Sequence, residues 1–488
     1  MGPQSPCALR VRDPCYYSDT LLAMTTGTGK SPDAIVVGGG FAGLAAATHL
    51  AQDGARVLLL EARPHLGGRA RSWVDPDTGS VVDNGQHLFM GCYRETLRFL
   101  ERIGSLDRLH LEPRLRVPLL DPGGGMSVFA LPPMPAFSWS VAAGLLRYPG
   151  LSLGQRLRLL RVGRAVSRSV KPGAVSAAET LDDQSVASWL AALGQGSTAL
   201  DRLWNPLAIA TLNEEPARAS AAMFLPVLRE FLAGGASGSR LGMPRVGLSD
   251  LYADPAAQFL RARGSEVRLR APVRELLVQG RRCAGVQLAG GERLMAPHVI
   301  AAVPPGDLLE MLPSETAADP YFSRCARLET SPIVSIYLWF GSPVTDLPFA
   351  GLIGGEWQWL FNRHAFAGRQ GPGHGVTLVR SAARAFVEAP RDALVRRALD
   401  DLHRFVPASR RVVLRHALVI KEKRAAISPL RGSLGLRPAW RSPIEGFHLA
   451  GDWTATGLPA TIEGAVLSGH ACARLVSEGS GVRANLPA

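Results

Sequence analysis

The sequence predicts an α/β fold that contains a Rossmann-like, nucleotide-binding unit, and three observations near the N-terminus predict it. Ile35–Val37 form a short apolar strand that runs into a glycine-rich turn. A helical segment follows, and Val57–Leu60 form the next strand, with Glu61 at its end. A cofactor that contains ADP needs this order of elements, because the turn receives the pyrophosphate and the acid accepts hydrogen bonds from ribose hydroxyls.

The glycine turn has the spacing G-x-G-x-x-G, with Gly38, Gly40 and Gly43 at the glycine positions. Gly38 permits the tight turn, Gly40 lets backbone approach a pyrophosphate, and Gly43 lets the helix pack closely on the strand. Phe41 and Ala42 begin the helix, whose N-terminal N–H groups and partial positive charge favour phosphate. We therefore expect these residues to bind the cofactor.

The composition indicates a globular protein with more than one hydrophobic core. The chain has 488 residues, of which 47% are hydrophobic and 19% are charged, and its formal net charge is +13. No nucleic-acid module accompanies this charge, so an anionic membrane surface is the better interpretation and nucleic acid is not expected as a partner. The cysteines lack C-x-x-C spacing, so no disulfide framework and no metal site is expected. They are Cys7, Cys15, Cys92, Cys283, Cys325 and Cys472.

A reducing, cytoplasmic location fits this cysteine usage, with peripheral contact at the inner face of the cytoplasmic membrane as the further expectation. The first 30 residues lack the continuous apolar region of a secretory signal. Residues 1–32 are expected to form a disordered tail in which Met24 is a natural start, and residues 477–488 form a second tail.

Nucleotide-binding patterns occur in three separate segments, 33–110, 240–305 and 412–476. Two segments of different character lie between them: 111–239 is rich in leucine and arginine and reads as helical, and 306–411 mixes helix with short strands. The strands predicted in these central segments are Glu266–Leu269, Val273–Val278, Gly285–Leu288, His298–Val303, Val334–Phe340 and Gly375–Ser381.

Two stretches of the segment 111–239 are candidates for membrane contact. Residues 130–146 are uncharged but contain three prolines, which argue against a spanning helix. Residues 153–171 form a basic helix that places Leu159, Val162 and Val166 on one face and its arginines on another, namely Arg161, Arg164 and Arg168. This pattern suits either an interfacial amphipathic helix or a surface helix with a solvated arginine face, and both interpretations stay open.

A second glycine turn follows Glu61 and contains Ala62, Arg63, Gly67, Gly68 and Arg69. It resembles the signature of the flavin amine oxidase and phytoene desaturase superfamily. The resemblance implies FAD as the cofactor, with Arg69 near the pyrophosphate or the flavin edge. It also implies a Rossmann-like FAD-binding domain of the GR2 type, interrupted twice by a mixed α+β substrate domain that comprises 111–239 and 306–411.

Asp83–His87 reads D-N-G-Q-H, and a similar D-x-G-x-H segment of the superfamily lies beside the flavin ring. The resemblance brings Gly85, Gln86 and His87 to the cofactor. Gln86 and His87 are the candidates for bonding the substrate, and an imidazole is a natural proton carrier. The catalytic residue itself is not identified, and a polar turn that bonds its own backbone is the alternative.

The C-terminal motif is a strand that ends in Gly451-Asp452 and is followed by a helix beginning near Thr461. In enzymes it resembles, the aspartate bonds the ribityl chain or the pyrophosphate, and the helix N-terminus points at flavin N1 and the C2 carbonyl, where reduced flavin carries negative charge. Asp452 and Thr461 could also serve as helix caps. The cofactor-binding residues implied are Gly451, Asp452, Ala460, Thr461 and Ile462, with Val273 at the family's backbone contact to adenine.

Four stretches resemble the hydroxysqualene dehydroxylases, a family of FAD-dependent enzymes of hopanoid synthesis. They are Asp83–Thr96, Leu203–Asn213, Met243–Leu251 and Ala450–Val466, and the likeness extends over about residues 33 to 476. Phe89-Met90 departs from it, because smaller aliphatic residues are expected there.

The resemblance implies reductive loss of an allylic hydroxyl group from hydroxysqualene or a similar C30 isoprenoid, with an electron donor that it does not identify. An apolar tunnel would hold this chain, and Trp204, Trp357 and Trp359 are candidates to line it. Asn205 and Asn213 are candidates to bond the substrate hydroxyl, although satisfied buried amides are commoner.

Two other functions stay open. The first is a carotenoid or phytoene-type desaturase or isomerase, which uses oxidised FAD in the opposite redox direction. The second is a flavin-stabilised membrane scaffold without catalysis. An amine oxidase is disfavoured, because Thr456–Pro459 has no aromatic side chain to form a cage beside the flavin.

Overall fold

A computed structural model of the chain describes residues 31–169, 180–362, 364–367 and 373–480. Its strands, in chain order, are β1 Ala34–Val37, β2 Val57–Leu60, β3 Ser72–Val74, β4 Val81–Asp83, β5 Phe89–Met90, β6 Leu109–Leu111, β7 Arg116–Leu120, β8 Met126–Ala130, β9 Leu241–Pro244, β10 Glu266–Arg268, β11 Val273–Gln279, β12 Arg282–Leu288, β13 Arg293–Met295, β14 His298–Ala301, β15 Thr330–Phe340, β16 Phe349–Leu352, β17 Trp359–Phe361, β18 His374–Arg380, β19 Leu414–Ile427 and β20 Phe447–Leu449.

The α-helices of seven or more residues are α1 Phe41–Gln52, α2 Arg94–Arg102, α3 Phe137–Arg147, α4 Leu153–Arg168, α5 Val186–Ala192, α6 Asn205–Leu212, α7 Ala221–Ala233, α8 Asp254–Ala262, α9 Pro305–Met311, α10 Arg391–Phe405 and α11 Ile462–Ser480. Short helical turns connect them, and two π-helical turns, Leu200–Trp204 and Ser249–Ala253, lead directly into α6 and α8.

A five-stranded parallel sheet with the order β10-β2-β1-β14-β20 forms the nucleotide-binding core. Alternate residues of β1 belong to different hydrophobic clusters, Ala34 and Val36 to one and Ile35 and Val37 to the other. Because successive side chains of a strand point to opposite faces, both faces of this sheet are buried. The α/β fold predicted from the first glycine turn is confirmed.

A seven-stranded mixed sheet with the order β19-β15-β18-β17-β16-β7-β8 forms the core of the other half. The helix α10 covers one of its faces, and the helices α3 to α7 surround a separate hydrophobic cluster beside it. The segment 111–239 is helical only from Phe137 onwards, because β7 and β8 join this sheet. The composition of the segment predicted helix, whereas β7 pairs with β8 and with β16, more than 200 residues away in the chain.

The strand β19 falls inside the segment 412–476, although it pairs with β15 in the seven-stranded sheet. The exact division of the chain into units therefore stays a prediction. The predicted tail 1–32 lies almost wholly outside the described residues, as do Cys7, Cys15, residues 170–171 of the predicted basic helix and the end of the second tail. Within the described ranges, no helix combines the length and apolar character needed to cross a bilayer.

Candidate active site

A cavity of about 1470 Å³ begins where the carboxyl ends of β1, β2, β14 and β20 meet. In parallel α/β sheets, ligands bind beyond these strand ends. The cavity continues between the helices α3, α4, α6 and α7 and the seven-stranded sheet. A pocket for a single small ligand measures roughly 300–1,000 Å³, so this cavity has room for a cofactor and a second molecule.

Nearly all the residues that the sequence indicated for cofactor binding lie on the wall of this cavity. They are Gly38, Gly40, Phe41, Ala42, Glu61, Ala62, Arg63, Gly67, Gly68, Arg69, Gly85, Gln86, His87, Val273, Gly451, Asp452, Ala460, Thr461 and Ile462. Gly43 lies behind the wall, where a Cβ would come within 1.9 Å of the carbonyl oxygen of Gly38. Its absence from the wall agrees with a role in helix–strand packing.

The two glycine turns are held against each other by Glu61, which is buried. One carboxylate oxygen of Glu61 accepts a hydrogen bond from the backbone N–H of Gly39 at 2.8 Å, and the other accepts one from that of Arg63 at 2.9 Å. The backbone N–H of Gly67 also donates to the carbonyl oxygen of Gly39. The acid at the end of β2 therefore fixes the relative position of both turns.

This arrangement fits the pyrophosphate end of FAD. The N-terminus of α1 at Gly40 has no side-chain cap, so its first N–H groups have no side-chain partner. A Cβ on Gly40 would have the Cα of Gly68 as its nearest neighbour, 4.0 Å away, so the space between the two turns is open. The residues of the two turns therefore fit FAD as the cofactor.

Arg69 and Asp452 connect the first glycine region to the C-terminal motif. The guanidinium of Arg69 donates to the carboxylate of Asp452 at 2.8 Å and to the carbonyl oxygen of Ala425 at 2.9 Å. The buried Asp452 carboxylate raises the pKa of Arg69, so the guanidinium stays protonated at neutral pH. Arg69 and Asp452, both predicted to bind the cofactor, thus hold each other in place although they are 383 positions apart in the sequence.

Gln86 and His87 lie next to each other on the wall and differ in how they are held. The side-chain amide of Gln86 donates to the hydroxyl of Tyr337 at 2.8 Å, and that hydroxyl donates to the carbonyl oxygen of Asp83. Burial lowers the pKa of His87 to about 4, with a smaller contribution from the positive charge of Arg69. His87 is therefore a neutral imidazole at neutral pH.

Thr461 is a helix cap as well as a wall residue. Its hydroxyl accepts a hydrogen bond from the backbone N–H of Gly464 at 3.1 Å, which places it as the N-cap of α11. Glu463, in the first turn of the same helix, accepts from the backbone N–H groups of Glu95 and Thr96 and caps α2. The N-termini of α2 and α11 are thus fixed together beside the cavity.

Several residues that support the site were missed by sequence reasoning. Tyr337 holds Gln86, and Glu422 accepts a hydrogen bond from the side chain of Asn84 at 2.9 Å. Arg437 donates to several carbonyl groups of the loop that follows Asp452. None of these three belongs to a motif, and each reaches the site from another part of the chain.

The far part of the cavity is lined mainly by apolar side chains, although Arg229 and Glu230 also line it. The apolar side chains include Leu115, Val117, Leu119, Phe129, Val141, Leu145, Leu159, Val162, Val166, Leu203, Trp204, Leu207, Phe231, Ile333, Phe349, Trp359, Phe361 and Val379. The guanidinium of Arg202, which also lines it, is paired with Asp121 at 2.7 Å. This part favours a long hydrocarbon over a polar ligand.

Three candidates for substrate contact have other roles. Trp357 is fully buried in the core of the seven-stranded sheet and does not line the cavity. The side chain of Asn205 donates to Asp201 at the protein surface. Asn213 reaches the wall, but its side-chain amide donates to the carbonyl oxygen of Ser331 and accepts from the N–H of Ala382. This side chain therefore hydrogen bonds to the backbone of two neighbouring segments. Trp204 and Trp359 do line the cavity.

Comparisons with known proteins agree with this site. Residues 41–477 match the family of flavin containing amine oxidoreductases. The chain is 30% identical over 453 residues, which are 90% of this chain and 97% of the relative, to a protein of Rhodopseudomonas palustris named hydroxysqualene dehydroxylase. It is 26% identical, over 90% of this chain and 95% of the relative, to a 15-cis-phytoene desaturase of Synechococcus elongatus.

Solved structures share the fold. An oxidoreductase from Methanosarcina mazei superposes with a TM-score of 0.69 at 16% identity, covering 90% of this chain and 99% of the other. A putrescine oxidase bound to putrescine superposes with a TM-score of 0.67 at 16% identity, covering 92% and 99%. At this identity the structures support the architecture and nothing finer.

Proposed function

Since the chain belongs to the family of flavin containing amine oxidoreductases, we propose that it removes the allylic hydroxyl group of hydroxysqualene reductively and releases squalene, as a step of hopanoid or related triterpenoid synthesis. The chain is an FAD-dependent oxidoreductase. The observation that carries the proposal is that one cavity extends from the two glycine turns to its far part, which apolar side chains line and which we call the apolar chamber. The names of its relatives, hydroxysqualene dehydroxylase and phytoene desaturase, support an isoprenoid substrate.

In this reaction the C–O bond of the allylic alcohol breaks, the hydroxyl group leaves as water after gaining a proton, and a C–H bond forms at the allylic carbon. Reduced FAD, when bound, supplies the hydride. Two electrons and the protons must come from a donor outside this chain, which stays unidentified. The chain's own contribution is to bind the hydrocarbon, orient the hydroxyl group and keep other nucleophiles away.

The apolar chamber performs two of these tasks. Each buried CH₂ group contributes about 0.8 kcal/mol of transfer free energy, so a C30 chain is bound without specific polar contacts. An allylic cation would be captured by water, and an apolar wall excludes it. The charge of Arg202, which also lines the cavity, is paired with Asp121 at 2.7 Å, and this pairing makes it less able to attract water.

The hydroxyl group is expected to lie near Gln86 and His87, two of the polar residues on the cavity wall. The amide of Gln86 is oriented by Tyr337, and the neutral imidazole of His87 offers one N–H group. Both are therefore suited to hydrogen bond the leaving hydroxyl group. An amide and a neutral imidazole are hydrogen-bond donors and not acids, so neither supplies the proton itself.

The experiment is to incubate purified holoprotein with hydroxysqualene under a chemical reductant and to identify products by mass spectrometry. Squalene is the expected product, and it should be absent when FAD or the reductant is omitted. A phytoene-type desaturase or isomerase is the second candidate, favoured by the phytoene desaturase among its relatives. Turnover of phytoene by the oxidised holoprotein, without squalene formation from hydroxysqualene, would exclude the dehydroxylase.

We also propose that α3 and α4 rest on an anionic bilayer from which the substrate comes. The inner face of α4 lines the cavity through Leu159, Val162 and Val166, whereas its outer face exposes other leucines. Large apolar side chains exposed in this region are Met134, Trp139, Leu146, Leu153, Leu157 and Leu160. Arg161, Arg164 and Arg168 are also exposed and can contact anionic headgroups.

Vesicle sedimentation tests this contact. The protein should bind vesicles containing phosphatidylglycerol more strongly than neutral ones, and Leu153→Ser/Leu157→Ser/Leu160→Ser should weaken binding to both. A matched control is Val74→Ser/Val413→Ser, which removes two exposed apolar side chains elsewhere. Equal sedimentation of the triple variant and the control would refute the membrane contact and leave the reaction proposal intact.

A further inference from the structure

Arg437 is a buried cation with an unusual set of partners. Its residue exposure is 6%, and it follows the helical turn Leu434–Leu436 on the way to β20. Its guanidinium donates to the carbonyl oxygens of Asp452, Trp453 and Leu458, to the hydroxyl of Thr456 and to the sulfur of Met223. Every acceptor in this set is neutral.

The loop between β20 and α11 is wrapped around this guanidinium. Four of the five partners, Asp452, Trp453, Thr456 and Leu458, lie in the loop and also line the flavin end of the cavity. Arg437 is not itself part of the cavity wall; it lies behind the loop. Because the guanidinium donates to three backbone carbonyl groups of this loop and to the hydroxyl of Thr456, the side chain determines the loop's shape and the approach to the N-terminus of α11.

The charge of Arg437 has little compensation. Burial lowers its pKa to about 10, so it is still protonated at neutral pH, and Asp452 is the carboxylate that acts against this shift. The carboxylate of Asp452 is hydrogen bonded to Arg69, however, while Arg437 binds only the backbone carbonyl of Asp452. Two arginines therefore share one buried aspartate.

A buried cation without a carboxylate of its own is costly unless another negative charge lies near it. We propose that Arg437 is a positioning residue for FAD: it shapes the loop 452–458 that receives the flavin end of the cofactor, and its positive charge favours the negatively charged, reduced flavin over the oxidised one. This inference rests on the cofactor and is independent of the substrate proposed above.

A purely architectural role is the alternative, since the same hydrogen bonds connect two loops and α7. The two roles differ in what the charge does. An architectural role requires the hydrogen bonds alone, whereas the proposal requires that a cation at this position shift the equilibrium between oxidised and reduced flavin. The reduction potential of the bound flavin separates them.

The experiment compares Arg437→Lys and Arg437→Gln with the native holoprotein, using FAD content, FAD affinity and the flavin midpoint potential from equilibration with a reference dye. Both variants lose loop hydrogen bonds, so both should bind FAD at least tenfold more weakly. Arg437→Lys keeps the charge and should keep the native potential. Arg437→Gln should lower the preference for reduced flavin at least tenfold, which is about 30 mV for a two-electron couple.

Arg441→Gln is the matched control, because it removes an exposed arginine four residues along the chain and should change neither quantity. Equal potentials in Arg437→Gln and the native protein would overturn the proposal, as would equal shifts in the Gln and Lys variants. If Arg437→Gln holds no flavin, the test rests on Arg437→Lys, which must retain FAD with the native potential. A Lys variant that also lacks flavin, or whose potential is shifted, would overturn the proposed effect of the charge.

Discussion

The glycines of the first turn perform different functions although they lie close together in the sequence. A Cβ on Gly40 would enter open space between the two turns, whereas one on Gly43 would overlap the carbonyl oxygen of Gly38. The backbone of Gly40 is extended, so a side chain is tolerated there without strain. Within one motif, Gly40 therefore leaves space between the two turns, and Gly43 allows close packing of the helix on the strand.

Gly40→Val and Gly43→Val should consequently fail in different ways. Gly40→Val is expected to fold but to purify without flavin absorbance, because the isopropyl group occupies the space between the turns. Gly43→Val is expected to lower the free energy of unfolding of the apoprotein by about 3 kcal/mol or more, since it overpacks a helix–strand contact. Urea unfolding of both apoproteins and their flavin spectra provide the measurement. Normal FAD content in Gly40→Val would contradict the assigned site.

Burial lowers the pKa of His87 to about 4, so in the proposed reaction this side chain is a hydrogen-bond donor and not a cationic acid. His87→Gln keeps an N–H donor and should retain more of the proposed dehydroxylase activity than His87→Leu, which has none. The expected difference in kcat is about tenfold or more, the cost of about one hydrogen bond to a leaving group. The kcat values are compared at equal FAD content, because His87 is also a candidate cofactor contact, and equal kcat values would exclude His87 from substrate contact.

At the scale of single elements, α4 is shared between the cavity and the surface. Leu159, Val162 and Val166 are buried, as their spacing in the sequence predicts, and Gly163 lies among them on the cavity wall. A Cβ on Gly163 would have no neighbour within 4 Å, so this glycine leaves a notch in the helix that widens the chamber. Glycine in a helix interior lowers stability by roughly 1 kcal/mol relative to alanine. We therefore expect this glycine to serve the binding of a ligand in the chamber.

Gly163→Leu should therefore narrow the chamber without harming the fold. The expected result is a rise in KM of tenfold or more for a C30 allylic alcohol and a smaller change for a C15 one, while FAD content stays normal. Gly154→Leu is the matched control, because Gly154 is exposed on the same helix and also has no neighbour within 4 Å of a Cβ. An unchanged KM for the C30 substrate in Gly163→Leu would show that the notch is not part of the binding chamber.

Elements whose signals are local could be predicted from the sequence. The strands β1 and β2, the turn between β1 and α1 and the helix after Asp452 follow from apolar runs, glycine spacing and capping residues, and their observed ends agree within a residue or two. The strands β7 and β8 could not be predicted in this way. The strand β7 pairs with its neighbour β8 and also with β16, and only the folded chain brings β16 to β7.

At the scale of the whole molecule, the site depends on contacts between distant parts of the sequence. Asn84 and Glu422 are 338 positions apart, and Gln86 and Tyr337 are 251 apart. Motifs identify the residues that are expected to touch the cofactor, because backbone conformation and phosphate binding restrict their types. They do not identify Tyr337, Glu422 or Arg437, because any residue of suitable reach could provide such support, and only the tertiary arrangement determines which one does.

Histidines with lowered pKa values make the stability of the fold depend on pH. Burial is the largest cause that lowers the pKa of His49 to about 3 and the pKa values of His87 and His448 to about 4. The three lie in different parts of the fold: His49 in α1, His87 on the cavity wall and His448 in β20. In the unfolded chain a histidine titrates near 6.5, so each is neutral in the folded protein at a pH where it would be charged in the unfolded one.

Between pH 6.5 and 4 the unfolded state therefore binds more protons than the folded state, and the free energy of unfolding falls as the pH falls. Each histidine contributes up to about 1.4 kcal/mol per pH unit in this window and nothing above pH 7.5, where both states are neutral. Urea unfolding at pH 7.5, 6.5 and 5.5 measures this slope. The variant His448→Phe cannot be protonated at this position. Between pH 6.5 and 5.5 its free energy of unfolding should therefore fall by about 1 kcal/mol less than that of the native protein. Comparison at pH 7.5 separates this effect from any change in packing, and parallel curves for variant and native protein would mean that His448 is protonated equally in both states.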